Sequence, residues 1–264
     1  MLTIAIHAPF QTSFTIKTNC KELANAIMLK HGKYATKSTT QTDITIIAEK
    51  EQSGYSIYFN GNFVKTNAPF KKIEDIMYDN RKYEETIFAV HGGAVEYNNG
   101  AHLFIAATTS GKTTLTSYLS SNGFGYITDD CILIDRNNFN VYPFNTPIHL
   151  RKGGFEVLDN LGVAPKAYDF LDDIYIKRYI YNPQNYITHS LPLKRIYFIE
   201  RVKNYNLLED MSTTDRITHL LKSPIVEYKL NSSYLSFISK LAKIPCSKLY
   251  YSDMKFVSEV IKNE

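Results

Sequence analysis

Residues 105–114 read IAATTSGKTT, so an apolar stretch runs directly into Ser-Gly-Lys-Thr-Thr at positions 110–114. Backbone N–H groups of a tight loop, followed at once by the N-terminus of a helix, bind anions. In the nucleotide-binding form of such a loop, the P-loop, the lysine reaches the β- and γ-phosphates and the next hydroxyl ligates Mg²⁺. Lys112 and Thr113 are the candidates for these roles. The other candidate nucleotide contacts are Thr108, Thr109, Ser110, Gly111 and Thr114.

The residues around this loop predict the order of strand, loop and helix that phosphate binding requires. Residues 101–107 are apolar enough for a buried strand, and residues 113–119 are predicted to form a helix. Leu115 and Leu119 then share one helix face. Ala106 stands where the usual pattern has its first glycine, so we expect strain there if its φ is positive. A loop that merely caps a helix is the alternative interpretation.

Composition excludes several classes of protein. The 264 residues are 44% hydrophobic and 21% charged, which is typical of a folded chain and excludes disorder. The net charge of +4 is small and the basic residues are scattered, which favours an acidic ligand such as a phosphate ester over nucleic acid. The three separated cysteines predict neither a disulfide framework nor a metal site. We find no signal peptide or membrane span and expect a soluble cytoplasmic protein without a membrane partner; homo-oligomerisation is left open.

Two modules are predicted from a change of pattern near residue 86. Residues 1–85 alternate short apolar runs with turns, among which Asn60-Gly61 is the strongest hairpin signal, and they predict a β-rich α+β module. Its predicted strands are 2–6, 13–16, 44–48, 55–59 and 63–66, and its predicted helices are 21–30 and 71–82. Residues 86–264 are predicted to form an α/β P-loop core, with a loop over 143–150, a strand over 195–200 and a helical tail from Thr213.

Two further polar motifs of the second module lie at countable distances from the P-loop lysine. His91 lies 21 residues before Lys112, in a predicted turn at Gly92-Gly93 that interrupts a strand. The pair Asp129-Asp130 begins 17 residues after Lys112, at the end of a predicted strand over 125–128. Ligands of open α/β sheets bind outside the carboxyl ends of the strands, so these motifs can converge on one crevice, with Lys112 at its surface. Alternatively, the aspartates form a solvated turn and His91 is structural.

Together the motifs resemble the catalytic core of the bacterial HPr kinase/phosphorylase family. The similar segments are 89–92 (AVHG), 105–114 and 127–134 (ITDDCILI), within a resemblance that covers residues 86–160 well. The chain is more similar to the shorter members that accompany peptide-modifying enzymes, in which 147–153 (PIHLRKG) follows the aspartates. The resemblance implies an HPr-kinase/PEP-carboxykinase-like fold and a kinase that uses ATP and Mg²⁺. It also implies that Asp129 is the base for the acceptor hydroxyl, that Asp130 helps to hold the metal, and that His91 supports both.

The segment after the aspartates departs from the bifunctional enzymes of that family. Their Glu-x-Arg-Gly-x-Gly signature is missing, and if Arg151 aligns with its arginine, His149 stands where a carboxylate metal ligand is expected. We therefore expect a kinase that works in one direction, without reverse phosphorolysis. Arg151 and Lys152 are further candidate phosphate-binding cations, and a solvated pair is the equally weighted alternative.

Three functions are compatible with these motifs. The leading hypothesis is an ATP-dependent kinase whose acceptor is a hydroxyl, namely a serine of a peptide or small protein. A kinase for a free small molecule such as serine is the alternative enzyme, because loops of unknown shape choose the acceptor. A non-catalytic nucleotide-binding interaction module is the third hypothesis. Loss of the P-loop glycines at positions 106 and 109 favours it, and retention of the lysine, the threonine and both aspartates opposes it.

Overall fold

The protein has a mixed α/β fold with several sheets. The structure, a computed structural model, describes residues 1–36, 41–107, 109–173 and 176–264. The strands are β1 (Leu2–Ile6), β2 (Phe14–Thr18), β3 (Ala35–Thr36), β4 (Ile44–Glu51), β5 (Gly54–Phe59), β6 (Asn62–Thr66), β7 (Ile87–Tyr97), β8 (Gly100–Ile105), β9 (Gly125–Thr128), β10 (Cys131–Asp135), β11 (Asn140–Tyr142), β12 (Ile148–Leu150), β13 (Asp169–Asp173), β14 (Ile176–Tyr181), β15 (Leu191–Arg201), β16 (Leu207–Asp210) and β17 (Cys246–Tyr251). The α-helices are α1 (Lys21–His31), α2 (Pro69–Asp79), α3 (Lys112–Ser121), α4 (Lys152–Asn160), α5 (Thr213–Lys222), α6 (Ser232–Leu241) and α7 (Met254–Lys262).

The chain forms two compact units. The first comprises Met1–Glu84, His149–Lys152 and Pro165–Asn182, and the second comprises Glu85–Ile148, Gly153–Ala164 and Pro183–Glu264. The sequence assigns residues 149–152 and 165–182 to its second module, whereas here they group with the first unit. The boundaries of the two modules as separate domains stay a prediction. No helix in the described ranges has the length and apolar character that crossing a membrane requires.

The first unit is built on a six-stranded sheet with the order β3-β1-β2-β4-β5-β6. Alternating side chains of its strands are buried, as in β2, because one face of the sheet packs against helices. Ile16 and Ile46 of the sheet share a core with Ile27 of α1 and Ile73 of α2. The hairpin predicted at Asn60-Gly61 joins β5 to β6, with φ of 46° and 75° at the two turn residues.

The second unit is built on a mixed sheet with the order β11-β10-β7-β8-β15-β17-β16, and β9 also pairs with β7. Strand β15 is parallel to both β8 and β17. The predicted helical tail contains three helices, α5 to α7, and also β17, which lies between α6 and α7 and was not predicted. A six-residue strand in a helix-rich segment carries little local signal, and its hydrogen bonds come from β15 and β16, about fifty and forty residues earlier in the chain.

Two other segments differ from the predicted elements. The predicted loop over 143–150 ends in strand β12, which joins β14 and β13 in a three-stranded sheet. The predicted turn at Gly92-Gly93 is wrong, because β7 continues through both glycines. A Cβ on Gly92 would lie 2.7 Å from the carbonyl oxygen of Phe104, and one on Gly93 would collide with the Thr116 hydroxyl. These glycines therefore permit close packing of β8 and α3 against β7.

Candidate functional site

The predicted P-loop connects β8 to α3. Within the described part of this loop, Thr109 and Gly111 have positive φ angles of 69° and 91°. Ala106 does not, so the strain expected at Ala106 is not found. The strained residue is Thr109, because a β-branched side chain rarely adopts a positive φ. Thr108, also a candidate nucleotide contact, lies outside the described residues.

Lys112 begins α3 and is folded back onto its own loop. Its Nζ donates hydrogen bonds to the carbonyl oxygens of Ala106 at 2.8 Å and Ala107 at 2.9 Å. The residue is only 5% exposed, which corrects the expectation that it lies at the surface of a crevice. Burial lowers the pKa of Lys112, and the nearby charge of Asp130 partly opposes that shift. The lysine is thus a desolvated cation at the N-terminus of a helix.

The first turn of α3 supplies the remaining donors of the loop. The helical hydrogen-bond ladder begins with the Leu115 N–H, which donates to the Gly111 carbonyl at 2.9 Å. The amides before it have no acceptor within the helix and are available to an anion. Thr113 and Thr114 are half-buried in this turn. The Ser110 hydroxyl is buried and has no hydrogen-bond partner among the described residues.

The P-loop and the aspartate pair lie at the same edge of the sheet. Strands β8 and β9 both run antiparallel to β7, on its two sides, so their carboxyl ends point the same way. The P-loop follows β8 and Asp129-Asp130 follow β9. His91 reaches this edge from within β7, because the adjacent Gly92 pairs with Ile105, the last residue of β8. The structure thus brings the three motifs together, although His91 lies within a strand and not at its end.

His91 and Asp130 are in direct contact. The Nδ1 of His91 lies 3.0 Å from the Asp130 carbonyl oxygen and 3.5 Å from its Oδ1. Their side chains are 40% and 44% exposed, so both are accessible to a ligand. A hydrogen bond from Nδ1–H to the carbonyl leaves Nε2 as the acceptor of the neutral ring.

Asp129 is the buried member of the pair, with 7% exposure. The Tyr126 hydroxyl lies 3.0 Å from Asp129 Oδ1 and 3.0 Å from the carbonyl oxygen of Thr146. Because a hydroxyl has one proton, Tyr126 donates to one of them at a time. The Thr128 hydroxyl accepts hydrogen bonds from the backbone N–H groups of Asp130, at 3.4 Å, and Cys131, at 3.3 Å. The tyrosine therefore orients the Asp129 carboxylate, and the threonine holds the backbone that follows it.

A cleft of about 830 Å³ opens beside the P-loop. One wall is the loop itself, and the other consists of residues 199–203 at the end of β15 together with Ser252 after β17. Arg201 and Lys203 are exposed cations of this wall. Sequence reasoning missed them. The strand over 195–200 was predicted, but nothing local indicates that it pairs in parallel with the P-loop strand.

Arg151 and Lys152, the candidate phosphate-binding cations after the aspartates, belong to the first compact unit, whereas the loop and the aspartates belong to the second. Arg151 follows β12 and Lys152 begins α4, and both are exposed. His149 lies within β12. The pKa of Arg178 is lowered mainly by burial. The positive charge of Arg151 lowers it further, so these two guanidinium groups influence each other. A role of Arg151 and Lys152 in nucleotide binding stays a prediction.

A metal would have few protein ligands in this site. Among the described residues, no group of three or more His, Cys, Asp or Glu side chains is arranged to hold a metal ion. Mg²⁺ is commonly bound by one or two protein oxygens together with substrate phosphates. The Thr113 hydroxyl and the accessible Asp130 carboxylate fit that donor chemistry.

Comparisons with known proteins give distant structural similarity, without a matching family model or curated relative. Among solved structures, the chain is similar to the Hpr(Ser) kinase/phosphatase from Coxiella burnetii, with 13% identity and a TM-score of 0.35. The match covers 66% of this chain and 88% of that one. Similarity at this level carries no functional argument. The function is therefore inferred below from the geometry of the loop and the residues beside it.

Proposed function

We propose that this protein is an ATP-dependent kinase that transfers the γ-phosphate to an aliphatic hydroxyl. The observation that carries the proposal is the convergence of Lys112, Asp130 and His91 at one sheet edge, at the N-terminus of α3. Phosphoryl transfer requires positioning and charge stabilisation more than covalent chemistry, and this arrangement offers both. The acceptor class proposed here is a serine of a peptide or small protein.

The P-loop would bind the phosphates through its free amides and Lys112. The ammonium of Lys112 now binds two carbonyls of its own loop, and it would exchange them for phosphate oxygens. A phosphate is a better partner than a carbonyl for a desolvated cation, because charge-assisted hydrogen bonds are about twice as strong as neutral ones. The lowered pKa of Lys112 then returns toward its ordinary value when an anion binds.

The carboxylates supply the acid–base chemistry. In the proposed reaction, the acceptor oxygen attacks the γ-phosphorus, the bond to the β–γ bridging oxygen breaks, and the hydroxyl proton passes to Asp129. The products are ADP and a phosphate monoester. Tyr126 orients Asp129, and His91 positions Asp130. Mg²⁺ held by Thr113 and Asp130 would neutralise charge on the β- and γ-phosphates.

We infer one direction of transfer, from ATP to the acceptor. Reverse phosphorolysis needs a second, attacking phosphate and therefore an additional cationic pocket beside the bound phosphoester. The Glu-x-Arg-Gly-x-Gly signature of enzymes that catalyse it is missing from the sequence. Incubating a phosphorylated product with the enzyme, Mg²⁺ and excess phosphate tests this point, since rapid release of pyrophosphate would contradict it.

A non-catalytic nucleotide-binding module remains the competing proposal. The strained Thr109 favours it, because strain in the loop weakens its preference for the phosphate-binding conformation. The contact between His91 and Asp130 opposes it, because binding phosphate does not require a carboxylate at that position. A kinase for a free hydroxyl metabolite would use the same residues and differs only in the acceptor.

The proposal is tested by searching for the phosphorylated product. Mass spectrometry of serine peptides and small proteins encoded beside this gene, incubated with Mg·ATP and the protein, should reveal the gain of one phosphoryl group on a serine. Asp129→Asn protein is the matched control and should give no product. Labelling of a carboxylate instead of a hydroxyl would remove the role of Asp129, because such an acceptor is already deprotonated.

A further inference from the structure

The cleft beside the P-loop is larger than a phosphate chain needs. Its volume of about 830 Å³ falls in the range of roughly 300–1,000 Å³ that is typical of pockets for small organic ligands. Loop residues 106, 107 and 109–111 line one side only. The opposite wall, residues 199–203 and Ser252, has no role in the phosphoryl transfer described above.

Two cations of this wall face the phosphate site. Arg201 runs beside the loop, since its Cδ lies 3.9 Å from the position that a Cβ on Gly111 would occupy. Across the part of the chain that the structure describes, neither Arg201 nor Lys203 forms an ion pair. Their charges add to the positive end of α3, so the mouth of the cleft attracts an anion.

A buried hydroxyl on the loop side indicates the same ligand chemistry. The Ser110 hydroxyl lines the cleft, is inaccessible to solvent and lacks a hydrogen-bond partner in the described ranges. An unpaired buried hydroxyl costs free energy, which a ligand oxygen or nitrogen would recover. The wall also offers an apolar surface at Ile199 and Val202 and an exposed carboxylate at Glu200.

We propose that this cleft binds the nucleoside end of the nucleotide, with Arg201 and Lys203 on its phosphate chain. The inference rests on the proposed function, which requires a nucleotide at the P-loop. The guanidinium of Arg201 suits phosphate because its paired N–H groups bind two oxygens at once. Ile199 and Val202 provide the apolar contact that a base requires, and Glu200 can accept hydrogen bonds from sugar hydroxyls.

The experiment compares two probes, Mg·ATP and inorganic tripolyphosphate, by calorimetry. Two variants fill the cleft, Ser252→Trp and Lys203→Trp, and each has a matched control that adds no bulk, Ser252→Ala and Lys203→Ala. Both filling variants should bind ATP at least about tenfold more weakly than their controls, while tripolyphosphate affinity stays equal within each pair, because only the nucleoside needs the space. Lys203→Trp keeps the test valid should Ser252→Trp not fold, since residue 203 is exposed.

A second arm tests the cations. Arg201→Ala should weaken both probes by about tenfold or more, the scale of one charged hydrogen bond. Lys194→Ala, an exposed cation near the opposite end of β15, should leave both affinities unchanged. Unchanged ATP affinity in the filling variants would overturn the nucleoside assignment, and tripolyphosphate binding by Arg201→Ala equal to that of Lys194→Ala would overturn the phosphate assignment. A wild-type protein that binds neither probe would instead overturn the proposed function itself.

Discussion

The ammonium of Lys112 donates a hydrogen bond to the carbonyl oxygen of Ala106, 2.8 Å away at the start of the same loop. The lysine therefore closes the loop on itself, and the cation that would neutralise phosphate also stabilises the loop. Removing it should affect folding as well as binding, which differs from the expectation for an exposed side chain.

Lys112→Met should separate these two roles. Methionine keeps most of the buried chain but loses the hydrogen bonds to two carbonyls, so we expect the free energy of unfolding to fall by about 1–3 kcal/mol. Urea unfolding measures this change. Mg·ATP should raise the melting temperature of the wild type and not that of the variant. Equal stabilisation of both proteins by ATP would show that the nucleotide does not bind at the P-loop.

The lowered pKa of Lys112 makes nucleotide affinity depend on pH. In the free protein, burial favours the neutral amine, so the lysine loses its proton below the usual pKa of 10.5. Bound phosphate favours the ammonium, so ATP affinity should fall as pH rises through the alkaline range toward that value. Desolvation of the ammonium offsets part of the stability that its two hydrogen bonds contribute to the free protein, and this penalty shrinks as pH rises through the lowered pKa. Calorimetric Kd values measured across this range would contradict the account if they stayed constant.

The two aspartates should respond differently to loss of charge. Asp129→Asn should lower kcat by about 100-fold or more, the scale of losing a general base, while ATP still binds. Asp130→Asn should act mainly by raising the Mg²⁺ concentration needed for half-maximal rate. Steady-state kinetics with varied ATP and Mg²⁺ measure both effects. Small and equal effects would favour a solvated turn, and a larger loss of kcat in Asp130→Asn would move the base to the more exposed carboxylate.

The positive φ of Thr109 is expected to lower the free energy of unfolding, because a β-branched residue is strained in that conformation. Its φ of 69° is unstrained for glycine, so Thr109→Gly should raise the free energy of unfolding by about 1 kcal/mol. Ala106→Gly is the control, because Ala106 has no positive φ and glycine relieves no strain there. This variant should be less stable than the wild type, because glycine increases the conformational entropy of the unfolded chain. Denaturant unfolding compares the variants. A destabilised Thr109→Gly protein would show that the threonine side chain contributes more than its strained backbone costs.

The packing of α3 on β7 should depend on Gly93. Gly93→Ala places a methyl group against the Thr116 hydroxyl, and overpacking of this kind costs about 1–3 kcal/mol. The double variant Gly93→Ala/Thr116→Ala removes that obstacle and should recover most of the loss. A double-mutant cycle by urea unfolding measures the coupling between the two positions. Additive effects would show that the contact does not determine how closely the helix packs.

Local signals predicted part of the fold and of the site. The apolar run before Gly111 and the residues after it predict β8 and α3 within a few residues, because both elements depend on neighbouring side chains. The Asn60-Gly61 turn predicts its hairpin for the same reason. The spacing of His91 and the aspartates predicts that they meet the P-loop, which the antiparallel pairing of β7 with its neighbours produces.

Non-local pairing explains what the sequence did not predict. Strand β17 is held by β15, and the two are far apart in the chain. Arg201 reaches the cleft because β15 lies parallel to β8, which no local pattern encodes. The glycines of β7 resemble a turn in sequence, whereas their function is to admit neighbouring atoms that only the folded chain brings near.

The central claim is that this site transfers a phosphoryl group from ATP to a hydroxyl. The most direct measurement is a single-turnover reaction with γ-labelled ATP, Mg²⁺ and the pool of peptides and small proteins encoded beside this gene, comparing wild type, Lys112→Met and Asp129→Asn. We predict acid-stable label on serine with the wild type alone. Binding of ATP by the folded wild type without any transfer of label, or equal transfer by Asp129→Asn, would contradict the claim.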